Sequence, residues 1–234
     1  MKILILGYGK MGKTIDYLAM NGDHESISVD NIQERTDLVE ENFDVAIEFS
    51  QPDAAVENIK FCLDHGIPVV SGTTGWLDRL SELEEYCKSK NGTFFYTSNF
   101  SIGVNLFFKL NEWMAKLMNR YQGYDVIIDE IHHAQKLDSP SGTAITIADH
   151  IVEHMDIKKG WEENAMDSEM INITSMREGS VAGTHIVRYE SELDVIELKH
   201  KAYTRESFAR GALMVAEWAK DKKGVLTMND FMNS

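Results

Sequence analysis

Basic residues are in short supply: 23 Lys and Arg stand against 38 Asp and Glu, a formal net charge of −15 at pH 7 over 234 residues. So acidic a chain repels phosphate backbones, which argues against a nucleic-acid partner. Cysteine is scarce too. Cys62 and Cys87 are the only two; neither has a C-x-x-C partner or a histidine at metal-ligand spacing, and both read as ordinary reduced thiols in helical segments. No apolar run approaches the ~20 residues of a membrane span. The apolar residues 3–6 are too few for a secretion leader and run into a glycine-rich turn where a cleavage site would stand, so the cytoplasm is the expected location. The chain has no internal repeat, low-complexity tract or long linker, and no G-x-S-x-G elbow for nucleophilic catalysis. A hydrophobic content of 43% predicts a packed core rather than disorder.

What is present is a strict alternation. Short apolar runs at 3–6, 26–30, 44–49, 68–71 and 93–97 read as strands. Between most of them lie helical patterns at 14–20, from Pro52 to about 65, and at 77–90. Alternating strands and helices of this kind predict a parallel sheet covered on both faces. After Asn99 the style changes: helix 104–120, strand 125–130, helix 142–155, strands 171–176, 185–190 and 195–200, the last two joined by a hairpin around 191–194, and a closing helix at 206–220. The expected fold class is α/β: an N-terminal Rossmann-like dinucleotide-binding domain (1–100 plus 205–234) with a second, α+β domain (101–204) built on an open mixed sheet for substrate binding. Trp113, Met114, Leu117 and Met118 form an apolar stripe expected to pack into a core, as are Phe208 and Trp218.

The first strand runs into Gly7-Tyr8-Gly9-Lys10-Met11-Gly12, a G-x-G-x-x-G turn that opens a helix. Glycine there permits a tight turn and close backbone approach, placing a pyrophosphate on the helix N-terminus. Asp30, ending the second strand, is placed to accept hydrogen bonds from ribose hydroxyls. Its carboxylate repels a 2′-phosphate and Asn31 follows where arginine would welcome one, so NADH is the expected cofactor; Lys10 leaves room for NADPH. Ser50, Gly72, Thr73 and Thr74, and Ser98, Asn99 and Phe100 follow later strands of the same unit and join the cofactor positions.

The richest stretch is Glu130-Ile131-His132-His133-Ala134-Gln135-Lys136-Leu137-Asp138-Ser139-Pro140-Ser141-Gly142-Thr143. It leaves a strand, crosses a loop and enters a helix. The Ser141-Gly142-Thr143 turn offers N–H groups to an anion and Lys136 adds positive charge, a pairing suited to a carboxylate-bearing substrate. A histidine or lysine could then deliver a proton while the cofactor delivers hydride. Two adjacent histidines suggest a metal, but no third ligand stands at a recognisable spacing, so none is expected.

Together Gly7–Gly12, Gly72–Gly75, the string SNFSIGVN at 98–105, the E-x-H-H-x-x-K…P-S-G-T string at 130–143, His200-Lys201-Ala202 and FARGAL at 208–213 resemble the dihydrodipicolinate reductases over nearly the whole chain. The resemblance implies that His132 donates a proton with Lys136 as its catalytic partner. It implies that His133, Gly142 and Thr143 bind substrate, and that Gly72, Thr73, Thr74 and Thr97 through Phe100 touch the cofactor. It further implies a small dicarboxylate substrate, a place in the diaminopimelate route to lysine, and a homotetramer formed through the sheet of the second domain. Departures from the common pattern are Ala134-Gln135, where many members carry basic residues, Ser139 in place of a frequent alanine, and a short segment between Asp30 and Asp44. Two other readings predict different behaviour. A related two-domain NAD-dependent dehydrogenase would act on a small amino or hydroxy acid, and a dinucleotide-sensing module would bind NADH without turnover.

Overall fold

Apolar residues at the chain start form strand β1 (Lys2–Leu6) in the computed structural model, which describes residues 1–30, 38, 41–121, 123–204 and 206–234. Asn31 therefore lies outside the described residues. Contacts divide the chain into two units, Met1–Ser101 with Glu206–Ser234, and Ile102–Arg205. The division falls one residue later at each junction than the sequence pattern suggests. Ser101 stays with the first unit, its backbone N–H donating to Asn99 Oδ1 (3.0 Å) just before the next helix begins.

The first unit holds β1, β2 (Glu25–Val29), β3 (Val45–Glu48), β4 (Val69–Ser71), β5 (Thr93–Tyr96) and β11 (Gly224–Leu226). They form a sheet in the order β11-β5-β4-β3-β1-β2, parallel throughout. Side chains alternate across it. Ile3 and Ile5 of β1 join Ile47, Val70 and Phe95 under helices α1 (Lys10–Met20) and α6 (Glu206–Ala219). Leu4 and Leu6 join Ala46, Val69 and Phe94 under α2 (Pro52–Asp64) and α3 (Leu80–Ser89). Burying each large aliphatic side chain contributes about 1.5–3 kcal/mol, and burial on both faces is why these strands read as continuous apolar runs. Both cysteines sit in the second of these cores.

The second unit begins with α4 (Ile102–Met118), followed by β6 (Asp125–His132), α5 (Gly142–His154), β7 (Gly160–Glu163), β8 (Met170–Arg177), β9 (Gly183–Glu190) and β10 (Val195–Ala202). Its sheet runs β10-β9-β6-β8-β7, mixed because β6 is parallel to β8 and antiparallel to β9. Phe107, Ala115 and Met118 of α4 and Ile147, Ala148 and Ile151 of α5 bury its apolar face.

The α/β fold class expected from the alternation is the one observed. Three elements are additional: β7, β11 and the short helix α7 (Met228–Met232). Strand β6 also runs two residues beyond the expected end, to His132. One expectation fails: Met118 is buried, but Trp113 is 60% exposed on the outer side of α4, so the stripe is not a single core face. Among the described residues no helix is long and apolar enough to cross a membrane.

Candidate active site

Because the first sheet is parallel, its strands deliver their following turns to one edge. Gly7 follows β1, Asp30 follows β2, Ser50 lies just beyond β3, Gly72 follows β4 and Thr97 follows β5. The glycine turn is built for close approach. Gly7 has φ +96°, and a Cβ there would strike the Phe49 carbonyl, while one on Gly12 would strike the carbonyl of Gly7. Gly9, by contrast, faces open space. It is the N-cap of α1, no side chain caps the helix, and its first turn, which includes Lys10 and Met11, carries no acid. Uncapped N–H groups beside a side-chain-free surface suit a pyrophosphate, so these residues fit a dinucleotide. Asp30 accepts the Tyr8 backbone N–H (3.1 Å), and the Tyr8 hydroxyl donates to Asp16 (2.8 Å).

The remaining expected cofactor residues reach that edge in different ways. Thr74 and Ser98 are exposed. Thr73 is buried, its hydroxyl donating inward to Glu48 (2.9 Å). Phe100 is a core residue stacked near Phe49 and Phe95, so it can offer a ligand its backbone and not its ring. Thr97 Oγ1 accepts the Asn99 N–H (3.2 Å), closing a tight turn.

The second unit assembles the histidine cluster through strand register. On β6 Glu130 and His132 are two apart and share the inner face. Glu130 pairs with His185 of antiparallel β9, and His132 pairs with Arg177 of parallel β8. Glu130 is fully buried. One of its oxygens meets His132 Nδ1; the other accepts from Arg177 Nη2 (2.9 Å) and from the Ser141 N–H (3.3 Å). Burial would raise the Glu130 carboxyl, but the hydrogen bonds from His132 and Arg177 outweigh it and hold it down to about 2. A carboxylate on Nδ1 fixes the imidazole and leaves Nε2 as the working nitrogen. Beside that nitrogen lies Gly183, where a Cβ would stand 3.1 Å from Nε2.

His185 packs edge-on against His132, ring centroids 5.1 Å apart, and hydrogen-bonds Ser141 Oγ (3.1 Å). Burial, reinforced by the charge of His132, pushes it down to about 3, so it is neutral at physiological pH. Ser141 also caps α5, its hydroxyl accepting the Ala144 N–H (3.2 Å). That hydroxyl shapes the turn, which presents the exposed Gly142 and half-buried Thr143 beside it. Lys136 holds both oxygens of Asp138 (2.8 and 2.7 Å) and lowers that carboxyl below its ordinary range. His133 lies beyond the end of β6 and lines a cavity of about 390 Å³ with Gln135, Gly179, Ser180, Ala182, Tyr203 and Thr204.

Glu130, His132 and His185 also bring three metal-ligating groups within 4.8 Å of one another. The third ligand that sequence spacing did not supply thus comes from another strand. The cluster is nevertheless poor for a cation: its atoms already hydrogen-bond each other and Ser141, and Arg177 places a fixed positive charge on Glu130. Arg177 and His185 were missed as site residues because they lie more than forty residues downstream and join only through sheet register. Glu130 could have been found from the i, i+2 spacing to His132 alone.

Comparison with known proteins points one way. Residues 1–100 match the family model for the dihydrodipicolinate reductase N-terminus, and residues 103–232 match the model for its C-terminus. A 4-hydroxy-tetrahydrodipicolinate reductase of Christiangramia forsetii is 50% identical over 234 residues, covering 100% of this chain and 98% of the relative. One from Clostridium novyi is 36% identical over 252 aligned positions, with 100% and 98% covered. Among solved structures, a dipicolinate-bound dihydrodipicolinate reductase from Paenisporosarcina shares the fold, with a TM-score of 0.81 at 24% identity over 99% of this chain and 98% of that one.

Proposed function

Since this chain belongs to the dihydrodipicolinate reductase family, we propose how its own residues reduce 4-hydroxy-tetrahydrodipicolinate to tetrahydrodipicolinate on the diaminopimelate route to lysine. It is an NAD(P)H-dependent oxidoreductase, and the bound cofactor supplies the hydride. The turn at 7–12, with Tyr8, Lys10 and Met11, holds the pyrophosphate. Asp30 holds the adenosine ribose. Ser50, Gly72, Thr73, Thr74 and residues 97–100 surround the nicotinamide. In the second unit Lys136, His133, Ser141 and the N–H groups of Gly142 and Thr143 hold the carboxylates of the substrate and balance negative charge as it develops. Loss of water leaves a conjugated imine. His132 then supplies through Nε2 the proton that balances the hydride, and Glu130 stabilises the imidazolium beforehand. The observation that carries this reading is the buried Glu130–His132 pair, set at the strand end where the loop bearing Lys136 begins.

The test is loss of reduced-nicotinamide absorbance with substrate made in situ by the preceding synthase. Absence of turnover in protein that still binds NADH would remove the assigned substrate. NADH is expected to exceed NADPH in kcat/KM by about tenfold or more, because Asp30 meets a 2′-phosphate with like charge. Asp30→Ala should narrow that ratio; a wild-type preference for NADPH would defeat the assignment.

The oligomer proposed is a homotetramer assembled through the second sheet. Edge strand β10 and its flanks expose Val195, Ile196, Leu193 and Tyr203, a combination of open strand edge and apolar side chains that favours burial by another copy. Light scattering should return the mass of four chains, and Val195→Glu should shift it downward. A wild-type monomer at micromolar concentration would contradict this.

A further inference from the structure

One buried acid in the first unit has no part in the chemistry above. Glu48 ends β3, is fully buried, and continues the face of β3 that carries Ala46. Four neutral donors converge on it: Ser71 Oγ on Oε2 (2.6 Å), and Thr73 Oγ1 (2.9 Å), the Ser50 N–H (3.0 Å) and the Ser50 hydroxyl on Oε1. The Ser50 N–H also reaches Thr73 Oγ1 (2.8 Å), and the Asn58 amide of α2 donates to Ser50 Oγ (3.1 Å). The Trp76 indole donates to the Thr73 carbonyl (2.6 Å). A carboxylate taken out of water is destabilising unless its oxygens are filled, and an apolar side chain would serve packing at least as well. What the acid does that an apolar residue cannot is lock the turn after β3 to the turn after β4.

Sheet order says which part of the ligand those turns meet. In the order β4-β3-β1-β2 the pyrophosphate turn follows β1 and the ribose acid Asp30 follows β2 on one side. The turns of β3 and β4 lie on the other side, where the nicotinamide half of the dinucleotide extends. We infer that Glu48 is a positioning residue for the nicotinamide half of the cofactor, acting through Ser50 and Thr73. The inference rests on the cofactor reading proposed above.

The experiment is calorimetric titration of wild type, Glu48→Gln and Ser71→Ala with NADH and, separately, with ADP-ribose, which lacks the nicotinamide. Glutamine keeps the size and gives up acceptor capacity. The expected result is NADH binding weakened about tenfold in Glu48→Gln and about threefold in Ser71→Ala, the range of the net contribution of one ordinary hydrogen bond. ADP-ribose affinity should stay within about twofold of wild type. Equal weakening of both ligands would mean general damage to the sheet edge and would overturn the inference, as would NADH affinity unchanged in both variants. Should Glu48→Gln not fold, Ser71→Ala decides by the same ratio. Wild-type protein that binds neither ligand would overturn the cofactor reading itself, an outcome separate from any change in ratio.

Discussion

Replacing His132 with alanine is expected to lower kcat by about 10²–10⁴-fold, the range for loss of a positioned general acid, with little change in the KM for NADH. The split follows from the division of roles: His132 belongs to the second unit, and every cofactor position proposed above belongs to the first. Folding should survive, because the Glu130 oxygen opposite the imidazole keeps Arg177 and the Ser141 N–H. Gly183→Ala probes the same atom without removing it. A methyl 3.1 Å from Nε2 displaces the ring by a few tenths of an ångström, and alanine at φ +156° also strains the backbone there, so about a tenfold loss in kcat is expected together with some loss of stability. Lys136→Ala should act differently, raising the KM for the dicarboxylate as well as lowering kcat, since its ammonium serves ground state and transition state together. A His132→Ala enzyme keeping more than about a tenth of wild-type kcat would remove the proton-donor role.

Much of this is legible in the sequence alone. Period and punctuation gave the parallel sheet, because strands buried on both faces must be apolar throughout, as at Ile3 to Leu6. The loop from His132 to Thr143 was legible because its residues are contiguous. Strand β7, Gly160–Glu163, was not: it is an edge strand with two acidic residues and little burial, so it has no apolar signature. Strand β11 is three residues long and pairs with Thr93 to Phe95, some 130 positions earlier, a pairing no local window contains. Arg177 and His185 escaped for the same reason, since registers between strands are set by the packed sheet and not by spacing along the chain. Trp113 shows the opposite error. A 3.6-residue stripe says that a helix has an apolar side, and exposure at Trp113 shows that the stripe is wider than the core beneath it. Glu48 was hidden inside an apolar run, where an acid reads as a strand terminator.

Acid should unfold the second unit in two stages, the first belonging to His185. Its imidazole lies at about 3 in the folded protein against 6.5 in an exposed chain. Between those values the unfolded chain binds a proton that the folded protein refuses. The contribution is therefore intact above pH 6.5 and is lost progressively as pH falls toward 3, at about 1.4 kcal/mol per pH unit. Glu130 enters later. Its folded value of about 2 lies below the ordinary 4.5, so the unfolded chain gains a proton first only below pH 4.5, and stability lost there comes from both groups. From pH 6.5 to 4.5 the slope within this pair is His185 alone. His200, also pushed down by burial, adds a slope of the same sign that every His185 variant shares. Urea titrations at pH 7.5, 6, 5 and 4 should show wild-type stability falling across the whole range. His185→Asn, with an amide to meet Ser141 Oγ and no titrating ring, should be flatter by about one proton between pH 6 and 5. Parallel curves for the two proteins in that interval would mean that His185 is not held neutral in the fold. The neutral partner beside His132 would then be lost from the account of the site, because a second positive charge there would oppose the imidazolium that Glu130 stabilises.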